Sequence, residues 1–201
     1  MNSHYFSEKP TAPMELGVVE ATLRGRRLRL YTAPGLFSWK RVDNGTRLLA
    51  ETMEVPREGN LLDMGCGRGV LGILAALESP GLSVWMIDIN PRAVRLARMN
   101  VKAHNLINCT VRRGDLYRCL GETRFDSVVS NPPISAGMRR VVYPMVEGAH
   151  QRLREGGLLQ MVAQSNKGAK MLANHIDQVF GGHTVSAIKS GYRVLTAVKA
   201  G

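Results

Sequence analysis

The stretch Leu61-Leu62-Asp63-Met64-Gly65-Cys66-Gly67-Arg68-Gly69-Val70-Leu71-Gly72 decides the fold. Leu61-Leu62 reads as a short strand, the glycines as a tight turn, and Val70 to Leu77 as a helix stopped by Ser79-Pro80-Gly81. Two ligand readings compete at this turn. Gly67-x-Gly69-x-x-Gly72 matches the dinucleotide fingerprint, and Asp88 follows Gly67 by 21 residues, about where a ribose carboxylate belongs. That reading gives an NAD-dependent oxidoreductase. Asp63 argues against it, because a carboxylate ahead of the glycines would oppose a pyrophosphate. It suits a ligand with an ammonium group and no phosphates, such as S-adenosyl-L-methionine.

Outward from the turn, strands alternate with helices. Ser83 to Ile87 is a buried strand. Asn90-Pro91 is an N-cap with proline at the first helical position, and its helix runs to about Asn105. Cys109 to Arg112, Ser127 to Ser130 and Leu158 to Val162 are further strands. A helix from Met138 to Leu153, ending at Gly156-Gly157, and one from Gly168 to Phe180 flank the last of these. Thr184 to Ile188 and Arg193 to Val198 form an antiparallel pair around Ser190-Gly191. Upstream, Val18 to Leu23 and Arg26 to Tyr31 form a hairpin turned at Arg24-Gly25, and Asp43-Asn44 opens a short helix ended by Pro56 and Gly59. The expected fold is α/β: a Rossmann-like, doubly wound, mostly parallel seven-stranded sheet with an antiparallel last strand. Residues 1–45 are a lead-in and hairpin extension, and 46–201 form the catalytic domain.

Ligands in such sheets sit beyond the carboxyl ends of the strands, where strand order reverses. Gly65 and Gly67, lacking a Cβ, let the backbone approach the ligand closely, with Cys66 between them. Asp63 would fix the methionine ammonium, partly through water. Asp88, with Ile89 beside it, would accept the ribose hydroxyls. Asp115, in Gly114-Asp115-Leu116, would accept from the adenine amine. After the fourth of these strands stands Asn131-Pro132-Pro133-Ile134. Two prolines stiffen that backbone and remove two N–H donors, leaving carbonyls and the Asn131 amide as acceptors. Asn131 Oδ1 and the Pro132 carbonyl could hold a planar amine with its lone pair aimed at a methyl sulfonium.

These residues resemble the class I S-adenosylmethionine-dependent methyltransferases, in the branch whose N-P-P motif methylates exocyclic or amide nitrogens. Tyr31-Thr32-Ala33-Pro34-Gly35-Leu36-Phe37-Ser38-Trp39-Lys40-Arg41-Val42-Asp43-Asn44-Gly45-Thr46 narrows the resemblance to the "small domain" methyltransferases. These include the bacterial enzymes forming N2-methylguanosine in small-subunit ribosomal RNA and their archaeal single-domain relatives. The resemblance runs from His4-Tyr5-Phe6 to Tyr192-Arg193-Val194. It implies that Phe37 and Thr46 close over the cofactor, and that catalysis rests on Asn131, Pro132 and Ile134. Two departures stand out. Ile134 occupies the place of an aromatic residue that stacks on the base, and the extra N-terminal domain of the bacterial enzymes is replaced by a lead-in and hairpin.

The 201 residues carry 27 Lys and Arg against 16 Asp and Glu, a formal charge of +11, with 44% hydrophobic residues. That composition excludes wholesale disorder and favours a polyanionic partner, RNA first. Arg24, Arg26, Arg27 and Arg29 in the hairpin, and Arg139-Arg140 past the N-P-P loop, are the candidate RNA contacts. Arg92, Arg95, Arg98 and Lys102 read as a solvated helix face. Cys66, Cys109 and Cys119 form no C-x-x-C pair, and the histidines lack ligand spacing, so neither a disulfide framework nor a metal site is expected. No stretch reads as a membrane span or a signal peptide, which gives a cytoplasmic protein. The expected partner is ribosomal RNA or a ribosomal subunit; self-association is left open. Adenine, a protein glutamine amide and a small molecule remain alternative methyl acceptors. A non-catalytic RNA-binding module remains an alternative of another class.

Overall fold

The computed structural model describes residues 15–201; His4-Tyr5-Phe6 and the rest of 1–14 lie outside the described residues. Strands β1 (Gly17–Leu23) and β2 (Arg26–Thr32) form the hairpin, and α1 (Asn44–Thr52) follows. The chain then runs β3 (Glu58–Met64), α2 (Val70–Glu78), β4 (Gly81–Asp88), α3 (Pro91–Ala103), β5 (Cys109–Arg113) and β6 (Phe125–Ser130). It closes with α4 (Tyr143–Arg152), β7 (Leu153–Gln164), α5 (Ala169–Phe180), β8 (Thr184–Lys189) and β9 (Tyr192–Val198). The main sheet has seven strands in the order β5-β4-β3-β6-β7-β9-β8. β9 runs antiparallel to both of its neighbours, and the five strands β5 to β7 are mutually parallel.

Local sequence explains the boundaries. Asp43 caps α1 by accepting from Thr46 N at 3.0 Å. Asn90 caps α3 by accepting from Arg92 N, with Pro91 in the first turn. α2 is buried from Val70 to Ala76, an apolar helix wedged under the sheet. Gly72 permits that wedge: a Cβ there would stand 2.8 Å from the Met86 side chain of β4.

Side chains of β6 alternate between two cores. Val129 joins the core shared by α1, α2 and the hairpin, and Val128 joins the core shared by α4 and α5. Leu23, Leu28 and Leu30 of the hairpin are fully buried in the first core, so it packs as part of the body. A boundary at 45/46 falls inside α1.

Two expectations need correction. The α4 helix stops at Arg152 rather than at the glycine pair, and β7 begins at Leu153, which pairs with Phe125. Gly156 and Gly157 lie inside β7, where the register against β6 shifts and Gly156 adopts φ +74°. The second concerns Arg92, which is buried rather than solvated.

Candidate active site

Strand order reverses between β3 and β6, with β4 on the far side of β3. The carboxyl ends of these strands therefore form the ligand rim. Register places Asp63 opposite Val129, and Ser130 Oγ donates to Met64 O at 2.7 Å. The N-P-P loop and the glycine turn are thus fixed side by side.

In the turn, Gly65 N and Cys66 N both donate to Ile87 O, at 2.8 and 3.0 Å. Gly65, Gly67 and Gly69 all have positive φ, the left-handed region glycine adopts freely. A Cβ at Gly65 would meet nothing within 4 Å, so open space lies against the backbone there. Cys66 is buried and its thiol is pushed up by burial, with Asp63 and Asp88 adding to the effect. It packs rather than reacts.

Asp63 and Asp88 are both buried. Asp63 Oδ2 accepts from Gly72 N at 3.0 Å, while Oδ1 takes no hydrogen bond among the described residues. Burial, opposed by that hydrogen bond and reinforced by Asp88, pushes its carboxyl up to about 7. Asp88 accepts from Gly67 N at 2.9 Å and from Asn90 N at 2.8 Å, and burial lifts it to about 6 despite those bonds. Neither forms an ion pair among the described residues. Two buried carboxylates without a cation fit a ligand that brings an ammonium group and hydroxyl donors. Asp115 is exposed and pairs with Arg118 at 3.2 Å. Gly114 gives room to Cys119, whose sulfur a Cβ would strike, and Ile89 accepts from Arg113 Nε.

At the reacting end, Asn131 Nδ2 donates to Asp43 Oδ1 at 3.1 Å and to Thr46 Oγ1 at 2.9 Å. Thr46 Oγ1 in turn donates to Asp43 Oδ2 at 2.6 Å. Both amide hydrogens are engaged, which assigns the rotamer and leaves Oδ1 as the acceptor. The Pro132 carbonyl accepts from Ile134 N at 2.9 Å and retains a second lone pair. Ile134 is half-buried against the α4 and α5 core, with its methyl 2.9 Å from where a Gly168 Cβ would stand.

The segment before α1 is clamped over the turn. Buried Arg68 donates to Thr32 Oγ1 at 2.9 Å, Trp39 O at 3.2 Å and Arg41 O at 2.7 Å. Arg92 Nη1 donates to Pro34 O at 2.5 Å. Asn100, fully buried in α3, bonds the Tyr31 backbone in both directions and the Arg68 carbonyl. Phe37, in the clamped segment, is 57% exposed.

The basic residues divide. Arg139 and Arg140 are exposed just past the N-P-P loop. Arg24 is paired with Glu78 at 3.0 Å and donates to Met53 O. These partners lie at the carboxyl ends of α2 and α1, away from the glycine turn. Arg26 shares that hairpin tip, Arg27 pairs with Glu20 at 2.7 Å, and Arg29 sits opposite Glu20. Of the hairpin, it is the Tyr31-Thr32 end, not the arginine-bearing tip, that is tied to the turn through Asn100 and Arg68. Asp43, Arg68, Arg92 and Asn100 were not identified from sequence. Only Asp43 carried a signal, its N-cap position; the partners of the other three are largely backbone atoms brought in by the fold. No group of three or more His, Cys, Asp or Glu side chains among the described residues is arranged to hold a metal.

The family model for the methyltransferase small domain matches residues 27–196. The chain belongs to the methyltransferase small domain family. It is a methyltransferase with S-adenosylmethionine as methyl donor. It is 34% identical over 201 residues to the uncharacterized protein YbxB of Bacillus subtilis, covering 99% of this chain and 100% of that one. It is 33% identical over 171 residues to ribosomal RNA small subunit methyltransferase C of Photorhabdus laumondii, covering 84% of this chain and 49% of the relative. Among solved structures it is similar to the Thermus thermophilus 16S rRNA N2 methyltransferase RsmC in complex with AdoMet and guanosine. That match has a TM-score of 0.82 and 26% identity, over 95% of this chain and 52% of that one. This small domain methyltransferase thus spans about half the length of the ribosomal RNA methyltransferases it matches.

Proposed function

We propose that this chain methylates the exocyclic 2-amino group of guanine in ribosomal RNA by direct in-line transfer. The observation that carries the reading is the Asn131 amide, its nitrogen tied to Asp43 and Thr46 and its oxygen left to accept. Bound S-adenosylmethionine supplies a methyl group on a positively charged sulfur. Asp63 Oδ1 takes the ammonium end, Asp88 the ribose hydroxyls, and Asp115 the adenine amine. Gly65 leaves the space that the cofactor's backbone contact needs. Asn131 Oδ1 and the free lone pair of the Pro132 carbonyl accept the two hydrogens of the amine. That turns the nitrogen lone pair toward the methyl group and polarises the N–H bonds as the nitrogen gains positive charge, which is relieved when one of its protons is released to solvent. Positioning supplies most of the acceleration.

The guanine and RNA parts draw support from the ribosomal RNA relatives, from the guanosine named with the RsmC structure, and from the +11 charge. The free cysteines suit action in the cytoplasm. No helix among the described residues is long and apolar enough to cross a membrane. Incubation with radiolabelled S-adenosylmethionine and small-subunit ribosomal RNA tests the reading. Label should enter the RNA with wild type and fail to enter with Asn131→Ala. Label on protein or small molecules alone would refute it.

A further inference from the structure

Outside the clamped segment, α3 and the end of β5 border an open surface groove of about 430 Å³ lined by Pro91, Val94, Arg95, Arg98, Met99 and Arg113. Three guanidinium groups surround an apolar floor, and among the described residues no carboxylate lines the groove. None of the three arginines forms an ion pair among the described residues. Two are held in place without being neutralised: Arg98 donates from Nε and Nη2 to Val111 O at 3.2 and 3.0 Å, and Arg113 Nε donates to Ile89 O at 3.2 Å. An arginine fixed through one edge keeps other N–H groups for a ligand and loses little entropy on binding it.

We propose that this pocket binds the phosphate backbone of the RNA strand flanking the target nucleotide. The inference rests on the RNA reading above and names where the substrate docks. Phosphodiester oxygens would take the arginine donors, and Val94 and Met99 would lie under a sugar or base face. The position is apt. Arg113 ends β5 directly before Gly114-Asp115, and Pro91 starts α3 three residues past Asp88, so two of the lining residues stand next to the ligand rim. Asn131 follows β6, three strand intervals from β5. That is roughly 14 Å, a span of about four stacked nucleotides at about 3.4 Å each. With Arg139 and Arg140 on the other side of the N-P-P loop, the transfer site is flanked by cations on both sides. The hairpin arginines, which face the opposite end of the sheet or pair with carboxylates, are not needed for this path.

The test is anisotropy of a fluorescent single-stranded ribosomal RNA oligonucleotide across a salt series. Each phosphate contact on a single strand contributes about 0.7 to the slope of log affinity against log salt. The R95A/R98A/R113A variant should flatten that slope by about 2, shrinking the affinity gain between 200 and 50 mM salt about twentyfold. Arg95 makes no hydrogen bond among the described residues, so R95E provides a folded variant and should also flatten the slope and raise the KM for RNA. Cofactor binding by calorimetry and kcat should be unchanged in R95E. An unchanged slope in R95E, or no measurable RNA binding by wild type, would overturn the proposal. So would loss of binding to phosphatidylserine vesicles with RNA binding intact, since it would assign the arginines to a membrane. If R95E weakens RNA binding but wild type transfers no methyl group to RNA, the transfer reading falls and the pocket stands.

Discussion

Asp43 is the side chain whose removal is most informative. It accepts from Thr46 N to cap α1, from Thr46 Oγ1, and from Asn131 Nδ2. Asp43→Ala deletes all three bonds. Loss of the cap should cost about 1 kcal/mol of stability. Loss of a hydrogen bond to a charged partner removes about 1.5 to 3 kcal/mol of preference for the Asn131 rotamer that presents oxygen to the amine. At about 1.4 kcal/mol per decade, kcat should fall roughly tenfold to a hundredfold. Asp43→Ser separates the effects. Serine caps a helix nearly as well but is too short to hold the Asn131 nitrogen, so melting temperature should recover while kcat stays low. Single-turnover transfer and calorimetric cofactor affinity are the readouts. A kcat for Asp43→Ala near that of wild type would refute the positioning argument. Equal losses in kcat and cofactor affinity would assign Asp43 to the cofactor instead.

The remaining predictions concern the cofactor end. Asn131→Ala should keep S-adenosylmethionine affinity and lose most transfer, read by calorimetry beside a radiolabel assay. Gly65→Ala should weaken cofactor binding by about tenfold or more, because it fills open space and strains a residue at φ +71°; unchanged affinity would remove the turn from the site. The folded carboxyls of Asp63 and Asp88 lie at about 7 and about 6, above their unfolded values. Between about pH 4 and 7 the folded state therefore binds more protons, so this contribution to stability is lost as pH rises through that window. Cofactor, which meets the ionised forms, should raise the melting temperature more at pH 8 than at pH 5.5, and Asp63→Asn should flatten that difference.

Much of the fold was legible because each element carried its own punctuation. Asp43 and Asn90-Pro91 marked helix starts, and Gly65 to Gly72 marked the strand-to-helix turn with its close packing on Met86. The helix end expected at Gly156-Gly157 misled, because a glycine pair reads as a helix stop when it serves as an irregularity inside a strand. Asp63 and Asp88 were legible as neighbouring strand-end acids because parallel register turns strand ends into one rim, whereas the exposure of Asp115 and its pairing with Arg118 were not. The clamp of Arg68, Arg92 and Asn100 was not, because the contacts that define it run largely to backbone oxygens, which any sequence offers. The hairpin arginines show the complementary failure. Charge density pointed to a partner, but only topology shows that Arg24 faces the carboxyl end of α2 and is committed to Glu78.

The central claim is that the Asn131 site delivers a methyl group to a guanine amine in RNA. Mass spectrometry of nucleosides from small-subunit ribosomal RNA treated with the full chain and deuterated S-adenosylmethionine tests it most directly. Deuterated methyl should appear on guanosine at N2 with wild type and be absent with Asn131→Ala. Label on adenosine, or unlabelled RNA beside a cofactor-binding enzyme, would contradict it.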